Sequence, residues 1–413
     1  MRRTLIRFTA GAAALAAVAF AFAAPASAQK ADPKFDAWLK ESRLGPYQKD
    51  EVWDEVVAKA KKEGELAVYS SSSTTLKAGE DFAKMYPEIK IKVYDLGSEK
   101  TIEKVVREHQ AGVFAADVVY TGGTEAMVFD LLPNNRIVNY VPASLADKIP
   151  AAYREPLLTH AIEAYTVMYN AETYPSPPIK NIWELTEPQW KSRFAMKSPI
   201  GSLSSLMSLA AIVENSDAMA KAYQEYAGKP LQLSKGVENA GYEFLKRLLA
   251  NDVVFYDNSS KLANASGTRG QAKPPISFSV MHYMTRNETD KLANAIAYDL
   301  KPAGLFTYPT FIAIGGRAPH PNAAKLFVAF MMGSKDITPA TKFEQPFRQG
   351  KSFELLQGMA SFYQIGTFSP RTDMPAPPLS EAWPKAPKLG ASAEFVRDNV
   401  AKISDFWTAE SSR

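Results

Sequence analysis

The sequence predicts an α/β protein with a parallel sheet and two domains. Between residues 52 and 121, three strand-like stretches alternate with helical patterns, and this βαβαβ order implies parallel strands joined by right-handed crossovers. A short loop of glycine and hydroxyl residues follows each of the three strands. The chain has 413 residues, of which 46% are apolar, and this is too much for one ordinary core.

Residues 1–28 have the pattern of a secretory signal peptide. Three arginines precede an apolar run over residues 10–24, and Ala26-Ser27-Ala28 supplies a small-residue cleavage site. The run is shorter than the roughly 20 apolar residues that a membrane-spanning helix needs. The paired arginines leave the choice between general secretory and twin-arginine export open. We therefore expect a periplasmic protein whose mature chain begins near Gln29.

Charge and cysteine content exclude several classes of function. The 48 basic residues, three of them in the predicted signal peptide, are balanced by 44 acidic ones, so the excess of positive charge typical of a nucleic-acid binder is missing. The chain has no cysteine, which excludes disulfides, thiolate metal sites, a cysteine nucleophile and a lipid-anchoring cysteine. We expect a soluble monomer without a cofactor.

The first ordered region begins with a predicted helical extension over residues 29–60. The spacing of apolar residues predicts that one helix face there is formed by Val52, Trp53, Val56, Val57 and Ala60. Gly64 is placed to end this helix, because glycine readily adopts the left-handed conformation that closes a last turn. The strands "ELAVY", "IKIKVY" and "ADVVY" then follow, separated by helical patterns.

The loops after these strands are candidate ligand contacts. Ser71, Ser72 and Ser73 lie within six consecutive hydroxyl residues after the first strand, and Thr121 and Gly122 follow the third. One hydroxyl is enough to cap a helix, so each loop taken alone could be an ordinary tight turn. Ligands of parallel α/β sheets bind at the carboxyl ends of the strands. Three such loops at one edge therefore favour a binding site, and their hydroxyl and backbone N–H groups favour an anion.

Several segments, in order, make the chain similar to the solute-binding proteins of bacterial ABC importers, in particular the ferric-iron-binding-like branch of the type 2 periplasmic fold. The segments are "WDEVVAKAKKEGELAVYSSSS", "MYPEIKIKVYDLGS", "ADVVYTGG", "VMYNAETYP", "EPQWKSRFAMKSP" and "FIAIGGRAPHPNAAKLFVAFMMG". The resemblance covers roughly residues 50 to 335 and continues weakly to "FSPRTD" near 370. It is specific for the family and much less specific for the ligand.

The resemblance implies two α/β lobes joined by two crossing strands, with the ligand held in the cleft between them. The crossings are placed at "EAYTVMYN" and "LFTYPTF". The implied boundaries are 61–164 and 305–373 for lobe 1, and 165–304 and 374–413 for lobe 2. The resemblance also implies that the protein is not an enzyme, and that it delivers its solute to an inner-membrane ABC permease.

Lobe 2 supplies the remaining candidate contacts. Ser202 and Leu203 precede the run "LMSLAAIV" and so stand at a helix N-terminus, where the backbone dipole favours an anion. Asn258 precedes another predicted helix, and a plain N-cap is the alternative role for both Ser202 and Asn258. The resemblance matches these two residues to the family's anion pocket. It matches Tyr283 to a binding position in the loop "VMHYMTRN".

The candidate residues favour a small anion over iron. Iron-binding members of the family use a His or similar donor in the first loop, an acidic residue after the third strand, and two adjacent tyrosines in lobe 2. Here the first loop is all Ser and Thr, Gly122 or Gly123 stands where the acid is expected, and His282-Tyr283 replaces the tyrosine pair. Because ferric iron needs several anionic oxygens, a carboxylate or phosphonate solute is the preferred ligand. A ferric-iron receptor with a modified site is the alternative.

A secreted hydrolase is a further alternative from a different class. The chain has four histidines without an HExxH pair, and it contains neither a G-x-S-x-G elbow nor a phosphate-binding G-x-x-x-x-G-K-[ST] loop. The sequence therefore offers no recognisable catalytic arrangement.

Overall fold

The computed structural model describes residues 32–333, 356–374, 377, 382–383 and 385–412. The predicted signal peptide lies outside these residues. Within the described ranges, no helix is both long and apolar enough to cross a membrane.

Strands and helices alternate along most of the described chain. The strands are β1 (Glu65–Ser70), β2 (Lys90–Asp95), β3 (Val118–Thr121), β4 (Ile137–Val138), β5 (Thr159–Asn170), β6 (Phe194–Lys197), β7 (Val254–Tyr256), β8 (Ile276–Val280), β9 (Asn294–Ile296), β10 (Leu305–Gly315) and β11 (Lys388–Gly390). The helices are α1 (Pro33–Glu41), α2 (Trp53–Glu63), α3 (Thr74–Met85), α4 (Ser98–Gln110), α5 (Thr124–Ala126), α6 (Ala151–Arg154), α7 (Leu203–Glu214), α8 (Ser216–Ala227), α9 (Ala240–Ala250), α10 (Ser259–Gly267), α11 (Arg286–Thr289), α12 (Pro321–Met332), α13 (Met359–Gln364) and α14 (Ala393–Ser411). Short 3-10 and π-helical turns lie at Gly45–Asp50, Met127–Leu131, Ala143–Lys148, Ile182–Thr186, Pro188–Trp190 and Met281–Thr285.

The described strands form one continuous sheet in the order β2-β1-β3-β10-β5-β8-β6-β7. Strands β2, β1 and β3 are parallel, as the βαβαβ pattern predicts. Strands β8, β6 and β7 form a second parallel group at the other end. The antiparallel pair β5 and β10 lies between the two groups.

Strands β5 and β10 contain the two predicted crossings. Residues Phe311 to Ile314 of β10 pair with β3, whereas its earlier residues pair with β5. Strand β5 in turn pairs with β8 from Tyr165 onward. The two strands therefore run from one parallel group to the other. We call the group β1–β3 with its helices lobe 1, and the group β6–β8 with its helices lobe 2; the predicted residue boundaries of the lobes stay predictions.

Each lobe has its own apolar core. In lobe 1, buried Val68, Phe82 and Phe327 pack together, and in lobe 2 buried Trp183 and Phe278 belong to a second cluster. Helix α2 buries less than its pattern suggests. Val56 and Ala60 are buried as expected, but Val52 and Trp53 are exposed because they lie before and at the start of the helix. Gly64 ends α2 in the left-handed conformation, as predicted.

A buried ion pair attaches the segment before α2 to lobe 1. Lys325 on α12 and Glu51 have side chains only 1% and 3% exposed, and Nζ lies 2.5 Å from Oε1. The same ammonium donates to the Arg43 carbonyl, and the Tyr140 hydroxyl donates to the other Glu51 oxygen at 2.6 Å. The N-terminal extension is therefore fixed by charge as well as by packing.

The C-terminal helix α14 packs on lobe 2 and reaches lobe 1. Val396, Ile403 and Trp407 are buried in the lobe 2 cluster. On the lobe 1 side, the Arg397 guanidinium lies 4.8 Å from the centroid of the Phe129 ring. Helix α14 therefore makes a direct contact between the lobes.

Candidate functional site

The six consecutive hydroxyl residues after β1 divide into structural and available groups. Ser70 and Thr75 are both fully buried, and the Ser70 hydroxyl donates to Oγ1 of Thr75 at 2.8 Å. This bond closes the turn between β1 and α3. The Ser72 side chain accepts from the backbone N–H of Thr74 at 3.3 Å. At least three of the six hydroxyl groups therefore shape the loop itself.

The predicted contacts Ser71, Ser72 and Ser73 lie at the carboxyl end of β1. Ser71 and Ser72 are half-buried, and Ser73 is exposed. The backbone N–H of Ser71 donates to the Tyr120 carbonyl of β3, which holds the loop against the neighbouring strand. Although Ser73 is at the N-cap position of α3, its side chain makes no capping bond. Among the described residues, the hydroxyls of Ser71 and Ser73 make no hydrogen bond, so they remain available to a solute.

The loop after β3 lies against lobe 2. Thr121 ends β3, is fully buried, and has no hydrogen-bond partner for Oγ1 among the residues described. Gly122 lies next to the Pro309 carbonyl of β10. Gly123 has a φ of +87°, and a Cβ there would lie only 2.8 Å from Cδ1 of Leu203. Gly123, which follows the predicted residue Gly122, therefore lies against the predicted residue Leu203 of lobe 2.

The N-terminus of α7 carries a cluster of hydroxyls. The hydroxyl of Ser202, which is 6% exposed, lies 3.1 Å from that of Ser205. The Tyr165 hydroxyl lies 2.8 Å from Ser205 Oγ and 3.3 Å from Ser204 Oγ. Ser202 is the N-cap residue, but its side chain makes no capping bond. The N–H groups of the first turn therefore share one end of the helix with four hydroxyls, an arrangement suited to an anion.

Asn258 is an N-cap residue, as the alternative role given above predicts. Its side chain accepts from the Lys261 backbone N–H at 2.9 Å and so caps α10, and its amide nitrogen donates to Asp257. The residue is exposed. Its contribution to ligand binding stays a prediction.

Tyrosines lie on both crossing strands and in the turn after β8. The rings of Tyr165 on β5 and Tyr308 on β10 have centroids 5.8 Å apart. The Tyr283 ring packs against the His282 ring in a tilted arrangement, with a centroid distance of 4.4 Å. Within the described part of the chain, the hydroxyls of Tyr283 and Tyr308 make no hydrogen bond. Burial, followed by the charge of Glu163, raises the pKa of Tyr308 well above its usual value, so this hydroxyl stays protonated and can donate.

Glu163 is the acidic group of this region. It lies opposite Tyr308 in the pairing of β5 with β10, and Thr367 donates to its Oε1 at 2.9 Å. Its Oε2 lies 3.3 Å from Nδ1 of His282. Burial alone would raise the pKa of Glu163, but the hydrogen bonds of His282 and Thr367 outweigh burial and lower it. The carboxylate is therefore ionised beside the tyrosines.

The structure thus adds Glu163 and Ser205, which the sequence did not single out, to the predicted residues. It also brings the Tyr165 hydroxyl to Ser204 and Ser205 at α7, and the Tyr308 ring next to that of Tyr165. One signal could have revealed Glu163: it is the only acidic residue in strand β5, most of whose residues are apolar.

Solved structures share this fold, although no family model and no curated protein sequence matches the chain. Iron-bound HitA from Pseudomonas aeruginosa has 16% identity and a TM-score of 0.62, covering 84% of this chain and 99% of its own. AfuA from Actinobacillus pleuropneumoniae, a periplasmic binding protein with exogenous fructose-6-phosphate bound, has 17% identity and a TM-score of 0.60, with coverages of 84% and 99%. An ABC transporter substrate-binding protein from Agrobacterium tumefaciens has 14% identity and a TM-score of 0.59, with coverages of 84% and 94%.

These matches and the strand order define the class of fold. The chain has the type 2 periplasmic-binding-protein fold, in which two α/β lobes are joined by two crossing strands around a cleft. The predicted fold is confirmed. At 14–17% identity the similarity shows the fold alone. The ligand has to be inferred from the residues of the cleft.

Proposed function

We propose that the protein is an extracytoplasmic solute-binding receptor of an ABC importer. It captures a small anionic solute of the carboxylate or phosphonate type by lobe closure, and delivers it to an inner-membrane permease. An anionic ligand is supported mainly by the N-terminus of α7. There, hydroxyls lie beside the free backbone N–H groups of the first turn; they belong to Ser202, Ser204, Ser205 and Tyr165. The neutral donors of Ser71, Thr121 and Tyr283 complete the proposed contacts.

Two features support a receptor over the hydrolase alternative. The hydroxyls near α7 bond to one another or to tyrosine, and no histidine lies within hydrogen-bond distance of Ser202, Ser204 or Ser205 in the described ranges. A serine nucleophile needs such a base. The contact of Gly123 with Leu203 is what a cleft closed between two lobes requires.

Mass spectrometry of the protein purified under native conditions tests this proposal directly. We expect a carried solute of low mass with at least one acidic group. A carried solute without an acidic group would contradict the anion assignment, while leaving the receptor function intact.

We expect the purified protein to be colourless and ferric citrate to stabilise it no more than citrate alone. Binding to ferric iron would require a tyrosine to lose its proton, yet burial raises the pKa of both Tyr165 and Tyr308. Among the described residues, no group of three His, Asp or Glu is placed to hold a metal. Absorption spectra and thermal melts with both additions make the measurement. A purple-red protein would restore the iron alternative.

Replacing Ser71 and Ser72 together by Ala should weaken binding of the carried solute at least about ten-fold, because the lost Ser71 hydrogen bond to a charged group is worth about 1.5–3 kcal/mol, whereas the Ser72 hydroxyl bonds within the loop. The ligand-free stability should fall by no more than about 1 kcal/mol, the value of one cap. Ser202→Ala should behave in the same way. Titration calorimetry and a ligand-free melt separate the two quantities.

Ser70→Ala is the matched contrast for these variants. Its buried hydroxyl bonds to Thr75, so its loss should lower stability and leave affinity unchanged. If the Ser71/Ser72 and Ser202 variants keep wild-type affinity, neither serine loop belongs to the site.

A further inference from the structure

We propose that Glu163 makes the cleft selective for solutes that combine one anionic group with a hydrogen-bond donor, such as a hydroxyl or an ammonium, and that it excludes solutes with a negative charge at both ends. The inference rests on the proposed function, because it concerns the opposite end of the same cleft from the N-terminus of α7.

The position of Glu163 gives it access to the solute. Side chains two residues apart on a strand point to the same face, so Glu163 lies on the face of β5 that carries Tyr165. Tyr165 reaches the hydroxyls at α7, and Glu163 lies opposite Tyr308. Its side chain is 12% exposed. At about 3.3 Å per residue, the two side chains are separated by roughly 7 Å along the strand, which suits a solute of three or four carbons.

Glu163 retains unused capacity to accept hydrogen bonds. A carboxylate offers about four acceptor positions, and the described residues supply two donors, Thr367 Oγ1 at 2.9 Å and the His282 ring at 3.3 Å. The other titratable groups facing it are Tyr120, His160 and Tyr308. The tyrosines among them are held neutral by burial, which also lowers the pKa of His160 to about 4.

The two ends of the cleft therefore have opposite polarity. The α7 end presents N–H groups and hydroxyls that can donate to an anion. The Glu163 end presents an ionised acceptor, which attracts a donor and repels a second anionic group. Charges interact strongly where water is excluded. Repulsion by Glu163 at this end would therefore discriminate against solutes that carry an anionic group at each end.

Matched probes test the selectivity. Propyl phosphate carries one anionic end, glycerol 3-phosphate adds hydroxyls, and 3-phosphoglycerate is anionic at both ends; butyrate, 4-hydroxybutyrate and succinate form the same series with a carboxylate. In calorimetric titrations of the full chain, we expect the hydroxylated member of a series to bind most tightly. Glu163→Gln should reduce the affinity of the hydroxylated probe relative to the probe with two anionic ends by about ten-fold or more. The substitution removes a hydrogen bond to a charged group and also removes a repulsion.

Two further variants keep the test decisive. Tyr308→Phe removes only a hydroxyl that has no hydrogen-bond partner among the described residues, so it should fold normally and lower the affinity for hydroxylated probes. Glu225→Gln makes the same charge change on the exposed face of α8 and should leave the ranking unchanged.

The outcomes separate this inference from the proposed function. If Ser202→Ala weakens binding but Glu163→Gln and Tyr308→Phe leave the ranking of probes as in the wild type, this inference alone is wrong. It is equally wrong if the wild type binds 3-phosphoglycerate or succinate as tightly as the hydroxylated probes. A protein that binds none of the six probes contradicts this inference, whereas the proposed function is decided by whether the carried solute has an acidic group.

Discussion

Lys325→Met should destabilise the protein by about 3–5 kcal/mol, the usual cost of leaving one partner of a buried ion pair without its counterion. Glu51 would keep its charge at 3% side-chain exposure, with the Tyr140 hydroxyl as its remaining strong donor. Burial already lowers the pKa of Lys325, although Glu51 partly offsets this, so the pair depends on both members. Urea unfolding of the wild type and the variant makes the measurement.

Two comparisons show whether the loss comes from the uncompensated charge. The double variant Glu51→Gln/Lys325→Met removes both charges and should recover most of the stability. Lys59→Met disrupts an exposed pair with Glu55, whose side chains are both 53% exposed, and should cost less than about 1 kcal/mol. The free energies of unfolding of Lys325→Met and Lys59→Met could instead differ by less than about 1 kcal/mol, which is on the order of the error of such comparisons. In that case the buried pair does not hold the N-terminal extension.

Gly123→Asn should weaken solute binding at least about ten-fold, because overpacking of this kind costs about 1–3 kcal/mol. The added side chain would meet Leu203 and Ile102, whose Cδ1 atoms lie 2.8 and 3.3 Å from the Cβ position. Leu203 belongs to lobe 2, so the closer of the two contacts opposes closure, whereas Ile102 lies in lobe 1 with Gly123. Asn tolerates the left-handed backbone better than other side chains, which keeps the folding cost small.

Small-angle scattering and calorimetry on the same variants test this expectation. The wild type should become more compact when it binds solute, and Gly123→Asn should show less compaction. Gly112→Asn is the matched control, because Gly112 has a φ of +72° and open space around its Cβ position. Leu203→Ala in the Gly123→Asn background should restore part of the affinity. Equal affinity of the Gly123→Asn and wild-type proteins would show that this contact is not part of closure.

The sequence by itself determined the local elements and the fold class. The alternation of apolar residues in "IKIKVY", the glycine that ends α2 and the hydroxyl loops after the strands are local patterns, and they predict strands, a helix end and strand-end loops without knowledge of distant residues. The order of strands and helices then limits the topology, because crossovers between parallel strands are right-handed. The N-termini of α7 and α10 were likewise predicted from local patterns of polar and apolar residues.

Only the tertiary structure decided which polar groups are free to meet a solute. Ser70 and Asn258 look as suitable as Ser71 in the sequence, yet their side chains are used within the protein. Glu163 acquires its role from partners 119 and 204 residues away in the chain, His282 and Thr367. Hydrogen-bond satisfaction and burial depend on contacts between distant segments. A local pattern can therefore nominate a donor or acceptor, and only the packing of crossing strands and lobes determines whether it remains unpaired.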